Sequence, residues 1–213
     1  MNLKLKIKTY ILSFLIRIVN PDNYHNAAKF NQIFKIWNNI KLDTIEGDYI
    51  EFGVFKGKSL YHSVKTAISL KTYENRSFWG LDSFEGFPEN NHEFYTKINF
   101  SSNKKKVVKN FKKFKNVKII DGFFNESILK DEMKNIDKFC FAFIDCDIYE
   151  SAEVAFKYIK EKMVPGSFIM IDDFTSIDKN GNYIAKSFFS IFESKDIIFF
   201  DTYSNGQTFR VLN

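Results

Sequence analysis

At 213 residues with a formal charge of +5, the chain is sized for one domain with a short appendage. Hydrophobic residues make up 45% of it and only three positions are proline, which excludes a largely disordered chain and leaves ample material for a core. The mild positive balance admits an anionic ligand without demanding nucleic acid. Two cysteines, Cys140 and Cys146, read as small core residues of one strand in a reducing, cytoplasmic setting, with no disulfide and no zinc pattern.

The N-terminal stretch MNLKLKIKTYILSFLIRIVNP opens basic and turns apolar. Arg17 interrupts the run, no small-residue cleavage site follows, and the run is too short to span a bilayer. Leu12, Leu15, Ile16 and Val19 share one helical face, as expected of a helix packed on the domain or on a partner subunit of a homodimer. Contact with an anionic membrane surface and a targeting segment are the less favoured alternatives. A second amphipathic helix is expected over 24–42, with Phe30, Ile33, Phe34 and Trp37 on one face. Together these make residues 1–43 a lid or oligomerisation segment ahead of a domain over 44–213.

DYIEFG, residues 48–53, reads as a short strand running into a glycine, and residues 58–70 as a helix. SFWGLD, 77–82, is a second strand ending in Asp82. The polar stretch 83–102, with Gly86, Pro88 and Asn90-Asn91, is a long loop of the functional kind. Residues 104–118 hold eight lysines around Val107, Val108, Phe111 and Phe114, the stripe of an amphipathic helix. That run has no arginine for base-edge readout, so nucleic acid is not an expected partner. VKIIDG is a third strand ending in Asp121-Gly122, and 125–137 a helix. FCFAFID, 139–145, is nearly all apolar, as a central parallel strand should be. Helix 150–162, a Pro165-Gly166 turn, strand SFIMID over 167–172 and helix 183–193 follow. IIFFD and TFRVLN close the chain as an antiparallel pair around Ser204-Asn205-Gly206. The alternation predicts a doubly wound, Rossmann-like α/β sheet, mostly parallel, with an antiparallel C-terminal edge hairpin.

Open α/β sheets bind ligands at the carboxyl ends of their strands, and four constellations fall there. The segment from Glu51 to Ser59, EFGVFKGKS, joins a strand to a helix through a glycine-spaced loop. Gly53 and Gly57 permit close backbone approach, and the helix N-terminus offers free N–H groups. It is neither the G-x-G-x-x-G fingerprint nor a P-loop, so it suits a nucleoside with a cationic tail, with Glu51 as the nearby negative charge. Asp82 stands where α/β nucleoside domains accept ribose hydroxyls, and Asp121-Gly122 where they border adenine. Asp145, Asp172 and Asp173 end two consecutive strands. Three carboxylates without a cation repel and raise one another's pKa, and no lysine or arginine lies in their immediate flanks. A divalent ion such as Mg²⁺ is therefore expected, with Asp147 in reserve.

GDYIEFGVFKGKSL, GLDSFEGFPE, IIDGFFNESI and FIDCDIYESAEVAFKYIKEKMVPGSFIMIDDF, in this order, resemble the class I S-adenosylmethionine-dependent O-methyltransferases. Within that class they resemble the macrocin O-methyltransferase type, which acts on sugar hydroxyls. The resemblance implies that Glu51, Gly53 and Ser59 hold the methionine part of S-adenosylmethionine. It implies that Asp82, with Ser83, takes the ribose, and that Asp121 and Gly122 border the adenine. Asp145, Asp172 and Asp173 would bind Mg²⁺, with Asp145 also facing the cofactor as general base. The implied reaction is metal-assisted methylation of a sugar or sugar-bearing small molecule, and the lysine face of 104–118 offers a way to hold a nucleotide-linked sugar for surface polysaccharide. Two positions depart from the pattern: Ser167 replaces the second glycine of P-G-G, and Ile148 stands where catechol-type relatives carry a lysine. A nucleic-acid methyltransferase lacks its N/D-P-P-[YF] clamp here. The other rivals are a membrane-associated cofactor-binding module and a metal-dependent hydrolase.

Overall fold

The computed structural model describes residues 10–11, 20–90, 92, 94–95 and 100–212. The expectations for the apolar N-terminal run therefore lie outside the described residues, apart from Tyr10 and Ile11. Helix α1 spans Pro21–Leu42. Asn20 caps it by accepting from the Asp22 N–H, and Pro21 sits in the first turn, where a missing N–H is harmless. Then come β1 (Asp48–Phe52), α2 (Lys58–Ser69), β2 (Phe78–Asp82), α3 (Lys104–Phe111) and β3 (Val117–Asp121). The short turns α4 (Phe124–Ser127) and α5 (Asp131–Lys134) lead to β4 (Phe139–Ile144), α6 (Tyr149–Lys160) and β5 (Met163–Ile171). Helix α7 (Ile184–Ile191) and strands β6 (Ile197–Tyr203) and β7 (Gly206–Val211) end the chain.

The strands form one sheet in the order β3-β2-β1-β4-β5-β7-β6. The first five run parallel and β7 pairs antiparallel with both β5 and β6. This is the expected doubly wound sheet with an antiparallel C-terminal edge. The order reverses between β1 and β4, so the ligand crevice of such a sheet opens between Gly53 and Asp145. Every β4 residue is buried, because both faces of the sheet are covered.

One core lies on the face of α6 and α7, around Ile144, Phe156 and Phe188. The other gathers Trp37, Tyr49, Phe78 and Phe141, with Ile33, Ile36 and Ile40 of α1. Trp37 Nε1 donates to Ser63 Oγ at 2.7 Å, which satisfies the indole inside that core. The buried face of α1 is thus rotated from the expected one. Phe34 is 47% exposed, and the covered stripe is Lys29, Gln32, Ile33, Ile36, Trp37 and Ile40.

Three other elements differ from expectation. The helix over 125–137 is two four-residue turns, because the Lys130 backbone is extended and its ammonium reaches back to the Asp121 carbonyl and carboxylate. Strand β5 starts at Met163, and its register against β4 jumps from Phe139↔Met163 to Phe141↔Phe168. Pro165 and Gly166 bulge out of the ladder there, where a missing donor does no harm. The lysine-rich helix stops at Phe111, with Val107 and Phe111 buried and Val108 and Phe114 partly so. Both cysteines are free and buried, Cys146 just past the end of β4. No helix among the described residues is long and apolar enough to cross a membrane.

Candidate functional site

A cavity of about 680 Å³ opens at the carboxyl ends of the central strands. The first half of α1 and the described residues after β2 wall it from above, through His25, Lys29, Phe87 and Tyr95. Gly53 forms the floor at φ +98°, and a Cβ there would lie 1.7 Å from the Asp145 carbonyl oxygen. Only glycine lets the β1 loop cross the end of β4 this closely.

Beneath that loop Glu51 is 0% exposed and accepts from Tyr49 Oη at 2.5 Å and Ser59 Oγ at 2.6 Å. Burial pushes its carboxyl up to about 7 despite those two hydrogen bonds. Asp82 stitches two loops together, accepting from the Phe55 N–H at 2.7 Å and the Phe84 N–H at 2.6 Å. Burial raises its pKa, and these amides only partly oppose it. Ser83 lines the cavity and donates to the Gly86 carbonyl. Gly53, Asp82, Ser83 and Asp145 therefore meet on one cavity, with Glu51 and Ser59 packed behind its floor.

Asp121 and Gly122 are placed differently. The Asp121 carboxylate is half exposed and points to Lys104 at 2.6 Å and Lys130 at 3.2 Å, whose hydrogen bonds lower it to about 2. Neither residue lines the cavity, whereas the adjacent rings of Phe123 and Phe124 do.

At the other end of the cavity stand Asp145, Asp147, Asp172 and Asp173. Asp147 and Asp173 hold φ +59° and +43°, and Phe55 across the cavity holds +49°. Strained backbone of this kind gathers at ligand sites. Lys29 Nζ lies 2.9 Å from Asp145 Oδ2 and 2.5 Å from Asp172 Oδ2. His25 Nε2 lies 3.1 Å from the same Asp172 oxygen, and its Nδ1 is 3.0 Å from Ser204 Oγ. Asp173 is turned elsewhere, accepting from Tyr95 Oη at 3.1 Å and Asn205 Nδ2 at 3.4 Å.

Burial works against the Lys29 charge, but Asp145 and Asp172 outweigh it, so the ammonium is held well above its usual range. Burial would raise Asp172 as well; the Lys29 charge and the His25 contact overcome it and keep that carboxyl below the usual range. Asp145 is raised by burial, which Lys29 only partly opposes. Asp147 is raised by burial and then by its neighbour Asp145.

As arranged, these carboxylates do not form a metal centre. Among the described residues no three His, Cys, Asp or Glu side chains are grouped to hold an ion. The point between Asp145 and Asp172 holds an ammonium, and Asp173 faces Tyr95 and Asn205. Mg²⁺ at Asp145, Asp172 and Asp173 is expected from the sequence because the flanking strands carry no cation. Lys29 brings one from 116 positions upstream of Asp145.

A family model described as macrocin O-methyltransferase (TylF) matches residues 25–190, most of the chain. This chain belongs to the macrocin O-methyltransferase family. The family match begins at His25, so it includes α1 from that residue on and the cavity lining apart from Asp22 and Asn23. A curated relative, the 8-demethyl-8-(2,3-dimethoxy-alpha-L-rhamnosyl)-tetracenomycin-C 4'-O-methyltransferase of Streptomyces olivaceus, is 26% identical over 148 residues. That alignment covers 62% of this chain and 54% of the relative, so the chain spans about half the length of the curated relative it matches. The O-methyltransferase NovP superposes with a TM-score of 0.70 at 18% identity, over 87% of this chain and 80% of NovP. The calicheamicin methyltransferase CalS11 gives 0.71 at 16% identity, over 87% and 79%. Both share the fold.

Lys29, His25, Tyr95, Phe123 and Phe124 escaped the sequence reading. A signal for the first two exists: His25, Lys29 and Gln32 continue the line of Ile36 at helical spacing, so polar groups occupy sheet-facing positions of α1. A buried polar group requires a partner, and the carboxylate rim supplies it.

Proposed function

We propose that the chain transfers the methyl group of S-adenosylmethionine to a hydroxyl of a sugar, held as a nucleotide-linked or otherwise anionic derivative. The observation that carries this reading is one cavity with a nucleoside-type end, Gly53, Asp82 and Ser83, and a carboxylate end, Asp145 to Asp173. The residues fit the cofactor. Gly53 leaves room for close approach, Glu51 places negative charge below the cationic methionine end, and Asp82 keeps lone pairs free for ribose. Phe123 and Phe124 offer faces to the adenine.

S-adenosylmethionine supplies an electrophilic methyl on a sulfonium. The chain positions the acceptor and takes its proton. Asp147 accepts that proton: it lines the cavity, and no ion pair holds it among the described residues. Asp145, whose Oδ2 carries the Lys29 hydrogen bond, supports this base rather than acting as it. Helix α1 together with Phe87, Tyr95 and Phe100 excludes water and aligns the reacting atoms.

Support for an anionic acceptor comes from a second cavity, about 810 Å³, that shares Asn23, Asn26 and Lys58 with the first. Its lining includes Lys56, Lys58 and Lys113 and no carboxylate. Phe30 and His62 stack at 4.5 Å along its wall, and Tyr61 stands beside them. Lysines beside aromatic faces suit the diphosphate and base of a nucleotide. Among the structural relatives, CalS11 is a TDP-rhamnose 3'-O-methyltransferase.

Calorimetric titration of S-adenosylhomocysteine into the full chain tests the cofactor, and methyl transfer to nucleotide-linked sugars and to the same sugars free tests the acceptor. Micromolar cofactor binding and a preference for the linked sugars are expected. Lys56→Glu with Lys113→Glu should raise KM for the linked sugars at least about tenfold, since each reversal removes a charge-assisted contact. Absence of cofactor binding would sink the methyltransferase reading. Equal turnover of free and linked sugars would sink the anionic acceptor alone.

A further inference from the structure

We infer that Lys29 is the resident cation of this carboxylate cluster, standing where a divalent ion would otherwise bind and holding the acceptor oxygen in its place. The inference rests on the methyltransferase reading above. Its basis is the placement of one side chain. Lys29 is 8% exposed, yet it lines the cavity, and its ammonium touches both Asp145 Oδ2 and Asp172 Oδ2. Those contacts, 2.9 and 2.5 Å, are ammonium–carboxylate distances, and they engage the two oxygens that a divalent ion bridging Asp145 and Asp172 would need. A divalent ion on the same two oxygens would lie against the ammonium, in a buried place where like charges repel strongly.

The fold holds Lys29 there. Ile33, Ile36 and Trp37 anchor α1 in the core, and Gln32 Nε2 donates to Thr208 Oγ1 at 3.1 Å one turn on. His25, one turn before, contacts the same Asp172 oxygen. The Phe143 ring lies 5.6 Å from Nζ, a second surface favourable to a cation. The third carboxylate of the expected metal set, Asp173, is occupied by Tyr95 and Asn205.

An ammonium has three N–H donors, and the two aspartates use two of them. The third is available to the acceptor hydroxyl. Lys29 then does by hydrogen bonding what a Lewis acid does by coordination: it stabilises negative charge on the oxygen as the proton leaves. The step balances without an ion. The hydroxyl proton passes to Asp147, the O–CH₃ bond forms as the S–CH₃ bond breaks, and Lys29 keeps all its protons. This also makes sense of Ile148, since a lysine from α1 reaches the site that catechol-type relatives supply from after the fourth strand.

The test is Mn²⁺ titration of chelator-treated full-length protein, saturated with S-adenosylhomocysteine and followed by electron paramagnetic resonance of the free ion. Wild type is expected to bind no Mn²⁺ below the millimolar range, and its methyl transfer to survive chelation. Lys29→Ala should bind one Mn²⁺ about tenfold tighter or better, because two carboxylates lose their counter-ion, and Asp172→Asn in that background should abolish it. One Mn²⁺ bound at micromolar affinity by wild type, or chelated wild type revived by Mg²⁺, would overturn the inference. Should Lys29→Ala misfold, Lys29→Gln serves in its place, and the wild-type titration decides by itself. Failure of wild type to bind S-adenosylhomocysteine would overturn the methyltransferase reading, an outcome separate from any Mn²⁺ result.

Discussion

Glu51→Gln exposes what a buried charge costs this fold and why the fold keeps it. Glu51 has no solvent exposure, and its two oxygens accept from Tyr49 and Ser59. Burial, opposed by those bonds, carries its carboxyl from 4.5 to about 7. The difference, 7 − 4.5 = 2.5 pH units, is worth about 3 kcal/mol at roughly 1.4 kcal/mol per unit. Between those two values the folded chain holds a proton that the unfolded chain has released. Stability therefore falls as pH rises through that window, and the whole cost is present above it. Glutamine has the same shape and no charge to bury. Wild type and variant should match within about 1 kcal/mol near pH 5, the scale of one altered hydrogen bond. They should then diverge until the variant is about 3 kcal/mol more stable near pH 8. Urea unfolding across that range measures the divergence. Parallel stability curves would refute the reasoning, since they would mean that Glu51 titrates alike in both states. The same variant should bind S-adenosylhomocysteine more weakly, because the charge that destabilises the empty fold is the one that meets the ligand's α-ammonium.

Gly53→Ala should abolish S-adenosylhomocysteine binding and cost more than about 2 kcal/mol in thermal or urea unfolding, because its Cβ meets the Asp145 carbonyl at 1.7 Å in a left-handed backbone. Unchanged affinity would show that the β1 loop moves freely over β4. Asp147→Asn should lower kcat by about a hundredfold or more while leaving the S-adenosylhomocysteine affinity as it was, the usual effect of removing a general base. A loss shared equally by Asp145→Asn and absent from Asp147→Asn would return the base role to Asp145.

The fold was legible because its signals are local and repeated. FCFAFI is apolar at every position, as a strand covered on both faces must be, and the strand ends are marked by Gly53, Asp82, Asp121 and Asp145. The lengths of elements were less legible where tertiary contacts decide them. Lys130 breaks the expected helix by reaching Asp121, a contact between residues that periodicity does not pair. Pro165 and Gly166 read as a turn, yet the β4–β5 register absorbs them as a bulge inside the strand.

The carboxylate rim was legible residue by residue, whereas its counter-charge was not, and the reason is topological. Consecutive βα units place Asp145 and Asp172 side by side, so chain order predicts their meeting. Helix α1 belongs to no such unit. Where it crosses the sheet is settled by Trp37 and Ile36 finding a core formed by β1, β2 and β4. That packing fixes the helix rotation, and the rotation alone decides whether Lys29 or Phe30 faces the rim. A hundred-degree error in reading the face of one helix replaces an ammonium with a phenyl ring. The chemistry of this site is therefore set by core packing at Trp37 as much as by the aspartates. The polar stripe His25, Lys29 and Gln32, taken with the apolar line through Ile33, Ile36 and Ile40, is the part of the sequence in which that choice is written.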